Sequence, residues 1–198
     1  MRTINQYLFK LSLLSVVLFS SCKNGEKFSN QEKLQYTKMG NIVVKKTFDT
    51  LRHSLQRTIV EMGLEKAVPY CQANAYPLTD SYASDSVLVR RTALKYRNPA
   101  NKPDTAEDRI LNFFVAQKEK GVANDSLKSI TEKSKDGIIH FYKPILLQPM
   151  CVSCHGDKTG AGQSALWKTM DSLYPSDKAY GFKAGDLRGM WHIKFTKN

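Results

Sequence analysis

Cysteine is scarce in this chain, with four residues in 198, and a single pair, Cys151 and Cys154, stands at Cys-x-x-Cys spacing. A structural zinc site needs four ligands, so one pair without a second leaves that reading short of donors. Long apolar runs are missing as well. The uncharged stretch from Leu11 to Phe19 falls short of the roughly 18 residues expected of a membrane-spanning helix. No Gly/Ser-rich linker, internal repeat, or kinase, receiver or coiled-coil segment is visible, so a single domain is expected. Acidic residues are the minority: 18 against 30 basic ones give a formal charge of +12. No nucleic-acid motif accompanies that excess, and the basic residues are scattered, so nucleic acid is not an expected partner. The charge reads as solubility, or as attraction to anionic surfaces and acidic redox partners.

What is present is more specific. The cysteine pair is followed at once by histidine, as Cys151-Val152-Ser153-Cys154-His155. This is the attachment signature of a c-type haem. Each thiol adds across one vinyl group of the porphyrin, and the next residue offers its imidazole as the proximal iron ligand. One covalent haem c is therefore the expected cofactor, held by Cys151, Cys154 and His155. Part of the positive charge would neutralise its propionates.

The N-terminus reads as a secretory signal. Arg2 and Lys10 precede the apolar Leu11–Phe19 run, and Ser20-Ser21 stand ahead of Cys22, as at a lipoprotein cleavage site with Phe19 where leucine is usual. The alternative is an ordinary signal peptide with an incidental cysteine. Three regions are expected: a signal peptide over 1–21, a lipidated Cys22 with its tether over 22–31, and a haem domain over 32–198. Cleavage removes two basic and no acidic side chains, lowering the charge from +12 to about +10. Acyl chains on Cys22 would anchor the protein to the periplasmic side of a bacterial membrane.

Along the mature chain, Ser29-x-x-Glu32 predicts a capping box and a long helix. Val44, Phe48, Leu51, Leu55, Ile59 and Met62 form its apolar stripe, and Gly63 ends it. A second helix is expected over 65–75, and a strand over 87–92 runs into an Asn/Pro-rich loop. Thr105-x-x-Asp108 predicts another cap, ahead of an inner face of Ile110, Leu111, Phe114 and Val115, with Gly121 as the stop. Gly137 to Pro144 reads as a strand, Gly160 to Gly162 as a loop, Ala165 to Leu173 as a short helix, and Trp191 to Phe195 as a half-buried strand. Helices first and strands around the haem motif predict an α+β fold with an antiparallel sheet.

The sixth position on the iron is open to water, His, Met or Cys. His53 and His192 read as solvent-exposed, and His140 as structural. Met150 adjoins the motif too closely to cross the ring, whereas Met170 and Met190 are sterically possible but read as core packing. Cys71 is left over by elimination: an unpaired thiol in an oxidising compartment, on a predicted helix rich in small residues. A buried thiol acting as a small hydrophobe remains the alternative.

Several segments together resemble a known family: Ala67-Val68-Pro69-Tyr70-Cys71, the run from Val89 to Asn101, Cys151-Val152-Ser153-Cys154-His155-Gly156, and Asp177-Lys178-Ala179-Tyr180-Gly181 with Gly185-Asp186-Leu187-Arg188-Gly189. The family is a bacterial periplasmic single-haem domain of unknown function, with a PAS-like sheet and long N-terminal helices, first seen structurally in a cyanobacterium. The resemblance covers roughly residues 33–195 and departs where the family's Thr-Ser is replaced by Thr92-Ala93. It implies that Cys71 is the distal ligand opposite His155, and that the Arg90–Asn101 segment borders the pocket. Arg97, with Arg91 and Arg188 behind it, is a candidate for the propionates, since guanidinium forks suit carboxylates.

A thiolate donor favours ferric iron, and its release on reduction or protonation would free a site for a small gaseous ligand such as CO or NO. The expectation is a membrane-anchored periplasmic monohaem cytochrome that senses redox state or gas, with an unidentified redox or signalling protein as partner. The alternatives are a low-potential electron carrier and, as architecture, a cytochrome c′-like helical bundle. A catalytic role such as peroxidase has thin support, because no distal acid/base histidine is identifiable.

Overall fold

The computed structural model describes residues 28–158 and 164–196. The expected signal peptide over 1–21, Cys22 and the expected Gly160–Gly162 loop lie outside them. The first helix, α1 (Asn30–Met62), opens on the expected capping box. Ser29 Oγ accepts from the Glu32 amide at 3.1 Å, and the Glu32 carboxylate accepts from the Ser29 amide at 3.0 Å. The domain's expected start at 32 thus falls inside the first turn of this helix. Gly63, at φ 82°, ends α1 in a conformation that favours glycine and turns the chain back.

The returning helix, α2 (Leu64–Asp80), is longer than the 65–75 segment expected. Pro77 does not stop it. A proline removes one helical hydrogen bond, here the one to the Ala73 carbonyl, and the turn continues to Asp80 with Thr79 Oγ1 donating to the Ala75 carbonyl at 2.6 Å. Hydroxyl pairs Ser54–Tyr70 and Thr50–Tyr82 clip α2 antiparallel to α1.

Four strands follow: β1 (Val87–Thr92), β2 (Ile130–Lys133), β3 (Ile139–Leu146) and β4 (Leu187–Phe195). They form one antiparallel sheet in the order β1-β4-β3-β2. The α+β class with an antiparallel sheet and long N-terminal helices stands, and the sheet excludes the helical-bundle alternative. The strand expected over 137–144 begins at Ile139 instead, because Gly137 sits at φ 86° in the turn that precedes it. Edge strand β2 was not expected at all.

Helix α1 crosses one face of the sheet. Val44 packs with Val89, Ile139, Phe141, Trp191, Ile193 and Phe195. At the crossing, a Cβ on Gly40 would stand 2.3 Å from the Phe141 ring, so glycine is what permits the approach. The stripe expected on α1 holds for Val44 to Ile59, but Met62 is exposed, since the helix has by then run past the core.

The opposite face is covered by α3 (Thr105–Glu119), through Ile110, Leu111 and Phe114 against Tyr142 and Met190. Its cap lies one residue earlier than expected. Asp104 and Glu107 form the box, at 2.8 and 2.9 Å, in place of Thr105 and Asp108. That shift turns Glu107 under the sheet. His192, expected on an exposed face, is 1% exposed. Strand β4 is central and has helices on both faces, so its alternation does not mark a solvent side. His192 Nδ1 donates to Glu107 at 2.8 Å, and Arg90 Nε pairs with the same carboxylate at 3.0 Å. Short helices α4 (Val152–His155) and α5 (Ser164–Leu173) complete the described fold. Among the described residues, no helix is long and apolar enough to cross a membrane.

Candidate functional site

A cavity of about 300 Å3 lies between α1, α2, the end of β1 and the α4 segment. That volume is at the lower end of the range for small-molecule sites. Its apolar wall comes from Leu55 and Ile59 of α1, Ala67 and Val68 of α2, Leu147 and Trp191. Cys71, Cys151, Cys154 and His155 all line it, so residues separated by some eighty positions in the chain converge there. Cys71 follows from its helix. It lies one turn after Ala67 and Val68, small and buried residues that let α2 approach the α4 segment.

His155 is fixed by its loop. The Nδ1–H donates to the Ala179 carbonyl at 2.8 Å, which leaves Nε2 as the lone-pair nitrogen. Burial, reinforced by Arg188 and Arg97, holds the imidazole well below its ordinary pKa and therefore neutral. The chain leaves α4 through Gly156, where a Cβ would meet the Val152 carbonyl oxygen at 2.7 Å. Backbone bonds Gly181 N–H to Gly156 O and Phe182 N–H to His155 O, both 2.9 Å, then lock the 179–182 loop beside the motif.

Arg97 organises this corner. Its Nε pairs with Asp177 at 3.0 Å, and its Nη2 donates to the carbonyls of Cys154 at 2.5 Å and Ala179 at 3.2 Å. Asp177 in turn accepts from the Ala179 amide at 2.7 Å. Arg97 thus binds the Cys-x-x-Cys-His turn to the loop that orients His155. Arg91 is half-buried on the cavity wall over the Trp191 ring, 5.7 Å from its centroid, and donates to Ala75 O at 3.4 Å. Arg188 donates to the Lys95 carbonyl at 3.0 Å, and its buried Nε has no hydrogen-bond partner among the described residues. Burial lowers the Arg188 pKa to about 10, with Arg97 adding to the shift and Asp177 opposing it.

Burial pushes the Cys71 thiol up, opposed by Arg91 and Arg97. Cys154 is pushed up to about 11 for the same reason, with Arg97 opposing and Cys71 and Cys151 adding to the rise. Of the four histidines, only His155 lines the cavity. His53 is exposed, and His140 is bonded through Nδ1 to His192 Nε2 at 2.9 Å on the far face of the sheet. Met170 packs with Val68, Leu166 and Trp167, and Met190 belongs to the α3 face. Met150 does border the cavity, and Gln56 Nε2 approaches its sulfur at 3.4 Å.

The residues present fit a covalently attached haem. Two thiols stand at Cys-x-x-Cys spacing, a neutral imidazole carries a free Nε2, a third thiol, that of Cys71, sits on another wall, and a buried guanidinium Nε lacks an acceptor. Sequence reasoning missed Asp177 as the residue that holds Arg97. Its only signal was the short Asp-Lys-Ala-Tyr-Gly segment.

One family model, Tll0287-like, matches residues 26–196. The chain belongs to the Tll0287-like family. Among solved structures, the crystal structure of the cyanobacterial heme-protein Tll0287 is similar, with a TM-score of 0.55 at 28% identity. The likeness covers 86% of this chain and 98% of that one. No curated protein matches. The Tll0287-like span contains the whole cavity wall, from Phe48 to Trp191, and begins four residues after Cys22.

Proposed function

We infer that this chain is a monohaem c-type cytochrome, anchored through Cys22 at the periplasmic side of a bacterial membrane, that senses redox state or a small gaseous ligand. Cys151 and Cys154 hold the haem, and His155 and Cys71 are its axial ligands. The observation that carries the reading is the convergence on one cavity of Cys71, Cys151, Cys154 and a His155 whose Nδ1 is occupied by Ala179 O. The similarity to a heme-protein supports the same cofactor.

When bound, the haem supplies one-electron chemistry and a position for a diatomic ligand. The protein supplies the rest. Ala179 O fixes which nitrogen of His155 is the donor, and burial keeps that donor unprotonated. Cys71 must lose its proton to act as a donor. Burial opposes that loss while Arg91 and Arg97 favour it. Protonation of Cys71 would release it from iron, and such exchange is what a sensor needs. Arg188, with its unpartnered Nε, and Arg91 are placed to receive the propionate carboxylates. Arg97 is largely committed to Asp177 and to backbone carbonyls.

A second reading, a low-potential electron carrier, is favoured by the partial exposure of residues 151–155, none of which is fully buried. Optical and EPR spectra of the ferric protein beside Cys71→Ser and Cys71→Met test the ligand set. The low-spin thiolate signature should be lost in both variants. Its survival in either one rules out Cys71. Reduction followed by CO then separates the roles: a sensor binds CO, and a locked carrier does not.

A further inference from the structure

The outer face of the first half of α1 is chemically unlike the rest of the helix. Its inner face is fixed against the sheet by Gly40, Val44 and Thr47, all buried. This sets which residues point away from the protein. Over 34–46 those are Leu34, Gln35, Lys38, Met39, Ile42, Lys45 and Lys46. Three of them are large apolar side chains left in solvent: Leu34 is 72% exposed, Ile42 47% and Met39 38%. Three are lysines, and no Asp or Glu lies between Leu34 and Lys46. Lys45 is paired with Asp49 at 2.6 Å. Lys38 and Lys46 have no acidic partner among the described residues.

At 3.6 residues per turn, Lys38, Ile42 and Lys45 fall on one line along the helix, flanked by Leu34 on one side and by Met39 and Lys46 on the other. Apolar side chains ringed by lysines, without acids, is the composition of a helix face that lies in a membrane interface. The stems of such lysines cover apolar surface while their heads reach phosphate. The position in the chain agrees. Cys22 stands eight residues before Asn30, and an extended segment of that length reaches at most about 28 Å.

We propose that this outer face of α1, carrying Leu34, Lys38, Ile42 and Lys46, docks on the anionic surface of a lipid leaflet. The contact orients the protein on the membrane, with the sheet and the cavity on the far side of α1 from the lipid. This rests on the reading that Cys22 is a lipid anchor only for the reason the surface exists; the binding itself needs no acyl chain.

The test uses the mature haem-loaded chain carrying Cys22→Ser, which removes the acylation site. Co-sedimentation is measured with vesicles of phosphatidylcholine alone and with added phosphatidylglycerol. Binding is expected only to the anionic vesicles, falling steeply between 0.05 and about 0.5 M salt as charges are screened. Lys38→Glu/Lys46→Glu should lower partitioning by roughly a hundredfold, and Leu34→Ser/Ile42→Ser by about tenfold. All the altered residues are exposed, and an unchanged haem spectrum and circular dichroism check the fold. Equal binding to both vesicles, or wild-type binding by the charge-reversed variant, overturns the proposal. So does concentration-dependent self-association that the Ile42 variant abolishes, because the face would then be a contact between copies. Fatty-acid labelling of the wild type tests the anchor separately, and its failure would leave the vesicle result standing.

Discussion

Arg97 donates to the carbonyl oxygen of Cys154 at 2.5 Å while its Nε holds Asp177 at 3.0 Å. One side chain from the loop after β1 therefore fixes both the Cys-x-x-Cys-His turn and the segment whose Ala179 carbonyl orients His155. The Asp177 side chain is 1% exposed and that of Arg97 14%. Removing one partner of a buried ion pair costs roughly 3–5 kcal/mol, because the other charge is left without compensation. Arg97→Met should therefore lower stability by about that amount in urea titrations. Arg97→Met/Asp177→Asn should recover part of it. Arg97→Lys keeps the charge but not the fork, and should fall between the two. A double variant no more stable than Arg97→Met would show that the pair is not coupled.

Gly40 tests the packing that sets the orientation of α1. A Cβ there would stand 2.3 to 2.7 Å from three atoms of the Phe141 ring, which has little room to retreat because it is fully buried. Overpacking of this kind costs about 1–3 kcal/mol. Gly40→Ala should destabilise by that much despite alanine's better helix propensity. The penalty should shrink in a Phe141→Leu background, and a thermal-denaturation double-mutant cycle reads the difference.

Local signals carried much of the fold. The Ser29/Glu32 box and Gly63 mark the ends of α1 because capping is decided within one turn. The α3 cap went astray by one residue because Asp104-x-x-Glu107 and Thr105-x-x-Asp108 overlap, and only the reciprocal bonds show which pair closes. The largest error, His192, has a tertiary cause. Alternation along β4 cannot report that α3 covers the second face and brings Glu107 beneath it. The Ile130–Lys133 edge strand carries too few apolar residues to stand out. At the site, the motif named Cys151, Cys154 and His155, and elimination pointed to Cys71. Asp177 and the Ala179 carbonyl act through tertiary contacts that no spacing encodes.

Acid should unfold the protein through the α3 face. Burial would raise Glu107, but its bonds to His192 and to the Asp104 amide, with Arg90 nearby, outweigh that and leave its pKa lowered. A carboxylate depressed in the folded state stabilises above its unfolded value and loses that contribution as pH falls through the folded one. His140 is also lowered, first by burial and then by His192 and Lys194. The unfolded chain then binds the proton first, so stability already declines below the ordinary histidine value of about 6.5. Urea titrations from pH 8 to pH 3 should show stability falling in both ranges. His140→Gln should flatten the upper part only partly, because His155, held well below its ordinary value, adds to it. Glu107→Gln should flatten the part below about pH 4.5. A pH profile unchanged by either variant would remove this network from the acid response.

Tyr142 should be better as phenylalanine. Its ring is fully buried between α3 and the sheet and stacks on His192 at 4.4 Å, yet its hydroxyl has no hydrogen-bond partner among the described residues. Burial pushes its pKa far up, as expected of a hydroxyl denied both water and a donor. An unsatisfied buried polar group costs about 1–3 kcal/mol, and deleting it while keeping the ring leaves the apolar packing in place. Tyr142→Phe should therefore be neutral or stabilising by about 1 kcal/mol in thermal and urea denaturation, where most core substitutions destabilise. The haem spectrum should not change, because the cavity lies on the other side of the sheet. A loss of more than about 1 kcal/mol would mean that the hydroxyl finds an acceptor in solution, the one competing account of its burial.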